Sequence, residues 1–571
     1  MSVDTEKTLT GSPTDRNAPD HAATRRMCAG TYLDPVFRNR LLREVYNDRS
    51  RRVAPSYGFD AALVLRHAWW AWWLETVQNI LIVAVVVVAC LRMPLDLIIV
   101  VSVLVIWYVL RLWRSWTAEL TAYYSGSRQI LNAQQLQARG KLLRRILAGA
   151  FMVLVAAMLI AATRNSRSGG ATGAWPLRTG LLGATAILCA FAMITTACTV
   201  MRMICLWRLN SAESGSSPRC GGGRIQIIRE QQNHPFTVHS GFKPFIGSGK
   251  QVVNWSFAQR LVGNIKTDGD NGPPPFSTSD LIGRLRKMIY ELREDEHPET
   301  RLPGLTVEDR VFIEGTYADQ YRDALRAEPG SDVITEEIAK IISRPSGEAR
   351  HYLASRVESW GGEIVTSVFV HVSLQGRTLY LEFATYALFP THPGYHIIDE
   401  AGGTGIGATA KAVAKTLSTL PQQLTSACRV AWAPAQLLAA LRPKKDRTGS
   451  AAKRFDIGAK VSAREIAAEE SDRSYFQYQD VRQHSKIIER RLIAAVGEFL
   501  TELGIDTSEF YERATTILNN GIINTGSGSV TTTTTTFGDN SPVNSELGAS
   551  QRNSEGKGIW THLTSEAIGE S

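Results

Sequence analysis

The sequence predicts a membrane α-helical protein, a four-span bundle, joined to a cytoplasmic α+β domain that contains an antiparallel meander. Three observations carry that expectation. Apolar residues crowd between about Leu74 and Leu206, both ends of the 571-residue chain are polar, and the stretch Arg350 to Thr391 alternates in the manner of paired strands.

The first sixty residues, 1–60, read as a disordered cytoplasmic tail with an interfacial part. They lack the apolar h-region of a cleavable signal peptide. Crossing a hydrocarbon core of ~30 Å takes about 20 mostly apolar helical residues. Within a transmembrane region over 61–207, four stretches meet that test: residues 72–91, 95–113, 146–163 and 181–207. Only Arg92, Met93 and Pro94 part the first two, which predicts a tight hairpin. Val, Ile and Ala fill these runs without period-2 alternation, so helices fit and barrel strands do not.

Basic residues set the orientation. The connection from Arg111 to Arg145 holds Arg114, Arg128, Arg139, Lys141 and Arg144 as well, whereas the last loop has only Arg164, Arg167 and Arg178. The rule that short Lys/Arg-rich flanks stay inside places this connection, and with it both termini, in the cytoplasm of a multi-pass cell (inner) membrane protein. The formal charge of +9, from 63 Lys+Arg against 54 Asp+Glu, sits largely beside the apolar block. That placement suits anionic headgroups, and no specific nucleic acid is expected as a partner. Seven cysteines without a CxxC spacing argue against a zinc ribbon or a disulfide framework.

Inside the first span Glu75, Gln78 and Asn79 fall at i, i+3 and i+4 and share one face. Such a face points into the bundle or at water, either as an ion or gating element or as a shallow, snorkelling Glu75. Ala157 with Ala161 and Ala186 with Ala190 permit close helix contact.

A Ser/Gly-rich linker, 208–223, leads to the cytoplasmic domain, 224–521, and a low-complexity tail, 522–571, ends the chain. Within the domain RIQIIRE, QVVNWSFAQRLV and VEDRVFIEG read as strands. Asp280 to Asp295 and Ile334 to Ser343 read as helices, as does the stretch carrying Ile487, Ile488, Leu492, Ile493, Val496 and Leu500 on one face. In the middle meander strand Ile364, Thr366, Val368, Val370 and Val372 share a face, leaving Val365, Ser367, Phe369, His371 and Ser373 on the more exposed one.

Several segments imitate chemical sites. PFIGSGKQVVNW has Pro244 where a phosphate loop needs its first glycine and Gln251 where it needs a hydroxyl, which favours a glycine turn between strands. Gly403, Gly405 and Gly407 are candidate dinucleotide contacts, yet no acid follows at ribose distance. His392, His396 and Asp399, with Glu400 beside them, have metal-binding side chains, but Pro393 and Gly394 break the helix that would align the imidazoles. Glu363 and His371 are conceivable acid–base partners. Lys411 to Lys445 reads equally as an amphipathic element on the inner leaflet and as a core helix pair. No catalytic residue can be assigned, and no cofactor is expected.

SWGGEIVTSVFVHVSLQGRTLYLEF, IIERRLIAAVGEFLTELGIDTSEF and TTILNNGIINTGSGS together resemble uncharacterised multi-pass membrane proteins of high-GC Gram-positive bacteria. That resemblance implies a membrane location and no established activity. The tail segment FGDNSPVN is similar to tails on some bacterial proteins with suspected stress or phage-response roles. The leading functional expectation is a non-enzymatic membrane protein whose cytoplasmic domain binds a ligand or protein and couples it to the bundle, with homo-oligomerisation allowed. The alternatives are a membrane-tethered enzyme acting on a nucleotide or other soluble substrate, and a pore-forming stress or phage-response effector.

Overall fold

The computed structural model describes residues 22–92, 96–104, 106–108, 177–211, 223–262, 276–400, 405–418, 456–468 and 474–520, plus single residues at 110, 113, 117, 420 and 423. The expected third span, the Ala157/Ala161 pair, nearly all of the basic connection, residues 212–222 of the linker and the tail 522–571 lie outside these. Residues Met1–Ile517 form one compact unit and Leu518–Ser571 a second. Of the second, only 518–520 are described.

The expectation of disorder is corrected over residues 22–60. Helix α1 (Ala22–Leu33) leads into α2 (Pro35–Leu41) and a π-helical turn, Leu42–Tyr46. The Asp34 carboxylate accepts from the N–H groups of Val36 at 2.8 Å and Phe37 at 3.2 Å. With Pro35 in the first turn, this starts α2 sharply. Met27, Phe37, Leu41 and Val45 are buried against Phe59, Val64 and Leu65. That burial orders a segment whose polar composition alone predicts a tail.

Helix α3 (Ala61–Arg92), the shorter apolar α4 (Asp96–Tyr108) and α5 (Leu177–Ser211) follow. Two described helices, α3 and α5, are long and apolar enough to cross a membrane. Of their most apolar windows, 22% and 28% are buried in the protein. The start of α3 lies earlier than the predicted span, because residues 61–71 are buried among α1 and α2 instead of facing outward. Ile82 and Ala89 of α3 meet Ala184, Ile187 and Phe191 of α5, with Val100 and Leu104 of α4 completing the seam.

RIQIIRE is a helix, α6 (Gly223–Gln231), and its reading as a strand is corrected. Ile225 and Ile228 are buried three residues apart, on one helical face, while Ile227 is exposed. A run this short suits either period, and packing against α3 decides it.

The sheet has six strands: β1 (Phe236–His239), β2 (Lys250–Arg260), β3 (Leu305–Glu314), β4 (Ala349–Ser359), β5 (Ile364–Gln375) and β6 (Thr378–Leu388). Their order is β1-β3-β4-β5-β6-β2, antiparallel throughout except that β1 runs parallel to β3. The predicted meander is its centre. Helices α7 (Thr278–Tyr290), α8 (Arg322–Arg326) and α9 (Asp332–Ser343) belong to the same unit. A capping box starts α7, with Asp280 N–H donating to Ser277 Oγ and Ser277 N–H to Asp280 Oδ2. Helices α10 (Ile406–Ser418), α11 (Ala463–Ala467), α12 (Tyr475–Glu502) and α13 (Ser508–Asn520) follow among the described residues.

α12 closes the face that carries Ile364, Val368 and Val370. Thr385 and Ser485 hydroxyls meet at 2.8 Å, and Trp255 Nε1 donates to Glu489 Oε1 at 2.7 Å. The opposite face, expected to be the more exposed, is buried along β5, and that expectation is corrected. Phe369 stacks on Phe245 with ring centroids 4.6 Å apart and meets Phe312 edge-on. Val365 packs with Tyr57 and Leu388. The cover comes from residues about 57 and 245, far from β5 in sequence.

Phe369→Ala therefore removes a ring from a closed aromatic cluster and is expected to lower unfolding stability by about 3–5 kcal/mol. Chemical denaturation of the detergent-solubilised full chain measures it. A loss under about 0.5 kcal/mol, the usual size at an open surface, would contradict the burial.

Candidate functional site at the junction of helices and sheet

Where the apolar helices meet the sheet, Ala29 and Tyr32 of α1, Ala71 of α3, Met203 and Leu206 of α5, and Ile398 pack as one cluster, flanked by Ala408 and Ala412 of α10. Ile398 ends a 3₁₀ turn, Pro393–Ile398, just after β6. Segments from both halves of the chain thus share one small core.

An ionic lock lies beside it. Glu363, 2% exposed at the β4–β5 corner, faces Arg26 of α1 at 3.0 Å and Arg464 of α11 at 3.6 Å. Its carboxylate also accepts from the Thr391 N–H at 2.6 Å and the Thr391 hydroxyl at 3.0 Å. Arg464 is fully buried and donates to the carbonyls of Glu363 and Phe389 at 2.7 and 3.3 Å. Arg26 continues to Asp399 at 2.6 Å. Burial alone would push the Glu363 carboxyl up; Arg464, the Thr391 N–H and Arg26 outweigh it and hold the group below the ordinary range.

A second polar layer lies between the apolar helices. Arg202 of α5 donates to Gln78 Oε1 at 3.2 Å, and Gln78 Nε2 donates to Gln423 Oε1 at 2.8 Å. Thr199 of α5 meets Thr416 of α10 at 3.1 Å. Gln78 and Asn79 are both buried. Glu75 pairs with Arg38 of α2, itself 1% exposed. Burial pushes the Arg38 guanidinium down to about 10, and the neighbouring Arg202 adds to that push. Past this layer a small cavity is lined by Ile82, Leu104, Phe191, Thr195, Leu420 and Gln423.

The other sequence candidates disperse. Gly403 lies outside the described residues. Gly405 and Gly407 stand at the start of α10, after a 3₁₀ turn and not after a strand. His392 Nδ1 accepts from the Gly394 N–H at 3.0 Å, His396 Nε2 meets the Thr391 hydroxyl at 3.1 Å, and Asp399 is held by Arg26. Among the described residues no group of His, Cys, Asp and Glu gathers as metal ligands. Glu363 and His371 cannot act together, since eight strand residues separate them by about 26 Å. His371 Nδ1 instead lies 2.8 Å from the His351 carbonyl.

The glycine turn between β1 and β2 does bind an anion, one belonging to the chain. Gly247 and Gly249, at φ +90° and +89°, donate their N–H groups to Glu465 Oε1 at 2.8 and 3.1 Å. A Cβ on Gly249 would stand 2.2 Å from the Ala387 carbonyl oxygen. Such left-handed turns form anion nests, and here the occupant is internal. Arg26, Arg38, Glu465 and Arg464 carry no periodic signal in the sequence. Arg202 does, as a lone cation in the apolar run TACTVMRMICLW.

Glu363→Gln leaves Arg464 buried without its counter-charge, an expected loss of about 3–5 kcal/mol near neutral pH. The folded-state pKa lies below the ordinary value of 4.5, so the carboxylate's contribution is full above about pH 4.5 and fades as pH falls through the folded value. The stability gap between wild type and variant, read by denaturant unfolding across pH, should be constant above that point and narrow below it. A gap that widens in acid would reverse the sign of the argument.

No curated protein and no solved structure matches the chain. Residues 254–531 match a family model described as the AbeC-like domain. The matched segment starts inside β2 and takes in β3 to β6, Glu363, the 3₁₀ turn, α10, Gln423 and Arg464, whereas α1 to α6 precede it. The chain thus carries an AbeC-like domain whose own residues make all of the ionic lock but Arg26, and part of the polar layer.

Proposed function

We propose that the chain is a membrane-bound phage-response effector, in which the AbeC-like domain receives a ligand or protein signal and passes it to the apolar helices. AbeC-like proteins are associated with abortive infection, which supports the phage-response reading. The carrying observation is the pair of bonds Gln423–Gln78 and Thr416–Thr199, by which the matched segment grips both apolar helices. A shift of α10 would have to break or re-form these bonds between helices, so the contact is suited to gating.

The membrane location rests on outward-facing apolar surface: Val77, Ile80, Val87 and Val88 of α3 and Leu182, Met193 and Met201 of α5 are all exposed. Trp72 and Trp73 lie at the near end of that surface, where indoles favour the headgroup layer. Both the start of α3 and the end of α5 contact α1, so the chain leaves and returns on one side. This favours an even number of crossings with both termini in the cytoplasm.

The full chain, expressed in a bacterial host, should require detergent for extraction and should collapse the membrane potential after phage infection, before lysis, as followed with a potential-sensitive dye. The double variant Thr416→Val, Gln423→Leu should remain in the membrane and respond about fivefold or more weakly, as expected for about 1 kcal/mol per hydrogen bond lost. Recovery of the chain as a dissolved monomer without detergent, or an undisturbed potential in protected cells, would refute the proposal.

A further inference from the structure

We infer that the layer around Arg202 is a binding site for a small monovalent anion such as chloride, and that the pathway it lines selects anions. The inference rests on the effector reading for its conduction half and on the geometry alone for its binding half.

Charge balance carries the argument. The layer and its rim contain Arg202, Arg38 and Glu75. Glu75 is engaged by Arg38, whose other charged neighbours are Asp34 at the start of α2 and Arg202; neither carboxylate pairs with Arg202. Among the described residues Arg202 meets no carboxylate: its hydrogen-bond partner is the neutral Gln78 amide, and its Nε is buried with no partner. A guanidinium set among apolar helices is costly without a counter-charge, and such residues face a bundle interior or a water-filled cavity.

The remaining groups suit an anion. Gln78 and Asn79 bring amides beside the unpartnered Arg202 Nε, whereas the Thr195, Thr199 and Thr416 hydroxyls donate to carbonyls of their own helices; besides Glu75, the described parts of α3, α4 and α5 carry one carboxylate, Asp96 at the first residue of α4. Gln78 stands five residues beyond Trp73, about 8 Å deeper along the helix at 1.5 Å per residue. The cavity beside Thr195 and Gln423 continues inward from that level. A cation with amide groups beside it is an arrangement that favours anions in a pore.

Two measurements on the full chain test this. In nanodiscs of phosphatidylcholine, sodium chloride should raise the thermal unfolding midpoint above that in sodium gluconate at equal ionic strength. The increment should vanish in Arg202→Gln and persist in Arg202→Lys. Equal midpoints in both salts, or an increment produced by added phosphatidylglycerol in place of chloride, would overturn the site, the latter in favour of a lipid headgroup. In planar bilayers under a potassium chloride gradient the reversal potential should lie on the chloride side, move toward zero in Arg202→Gln and move further out in Glu75→Gln. Conductance with cation selectivity, or a selectivity indifferent to Arg202, would sink the inference while leaving the effector reading intact. A halide-dependent midpoint in a chain that never conducts would uphold the binding site and refute the pathway.

Discussion

The buried Glu363 carboxylate is the point on which the arrangement depends. It sits at a corner where strand, amino-terminal helix and carboxy-terminal segment come within reach of a single side chain, and it is charged inside a dry environment. Such a group holds its charge only while Arg26, Arg464 and the Thr391 N–H remain around it. Because Arg26 belongs to α1 and Arg464 to α11, the electrostatic requirement of one residue fixes the relative positions of segments more than 400 residues apart in sequence. Displacing α1 would take Arg26 from the buried Glu363, leaving Arg464 and the Thr391 N–H to hold its charge.

The same junction is continuous with the apolar helices. α1 packs on α3 and α5 through Ala29, Tyr32, Ala71 and Leu206, and the 3₁₀ turn that holds Asp399 leads by a short connection to α10. The AbeC-like sheet domain touches the apolar helices at two places: through the lock to α1, and through α10 and Gln423 to Thr199 and Gln78. Both contacts lead to the same two helices. The sheet itself is well suited to act as the rigid member, since its central strand β5 is buried on both faces.

What the sequence made legible and what it hid divide along the range of the interaction. The meander, α7, α9 and α12 were readable because alternation, an N-cap and a 3.6-residue stripe are local properties. The shared face of Glu75, Gln78 and Asn79 was readable for the same reason, though its partners Arg38, Arg202 and Gln423 were not. RIQIIRE misled because seven residues fit both periods, and only α3 decides between them. Residues 22–60 misled because polar composition describes a segment's solubility, whereas Met27, Phe37, Leu41 and Val45 describe its attachment. The second face of β5 looked exposed because its cover, Tyr57 and Phe245, comes from segments more than a hundred residues away.

The motifs that imitate ligand sites share a physical explanation. Left-handed glycines at 247 and 249 do create an anion nest, His396 does sit among polar groups, and Asp399 does face cations; in each case the chain supplies the counterpart from its own residues. Glu465 fills the nest, Thr391 meets the imidazole and Arg26 neutralises Asp399. Internal satisfaction of this kind is what a folded chain needs wherever polar groups are withdrawn from water, so motif resemblance at a buried loop is weak support for an external ligand. The converse has more force. Arg202 is a cation among apolar helices whose described partner is neutral, and there the chain's own residues leave the balance open. The place where internal pairing stops is therefore the place where something from outside the chain has the largest electrostatic effect, and it lies at the contact between the AbeC-like segment and the helices it grips.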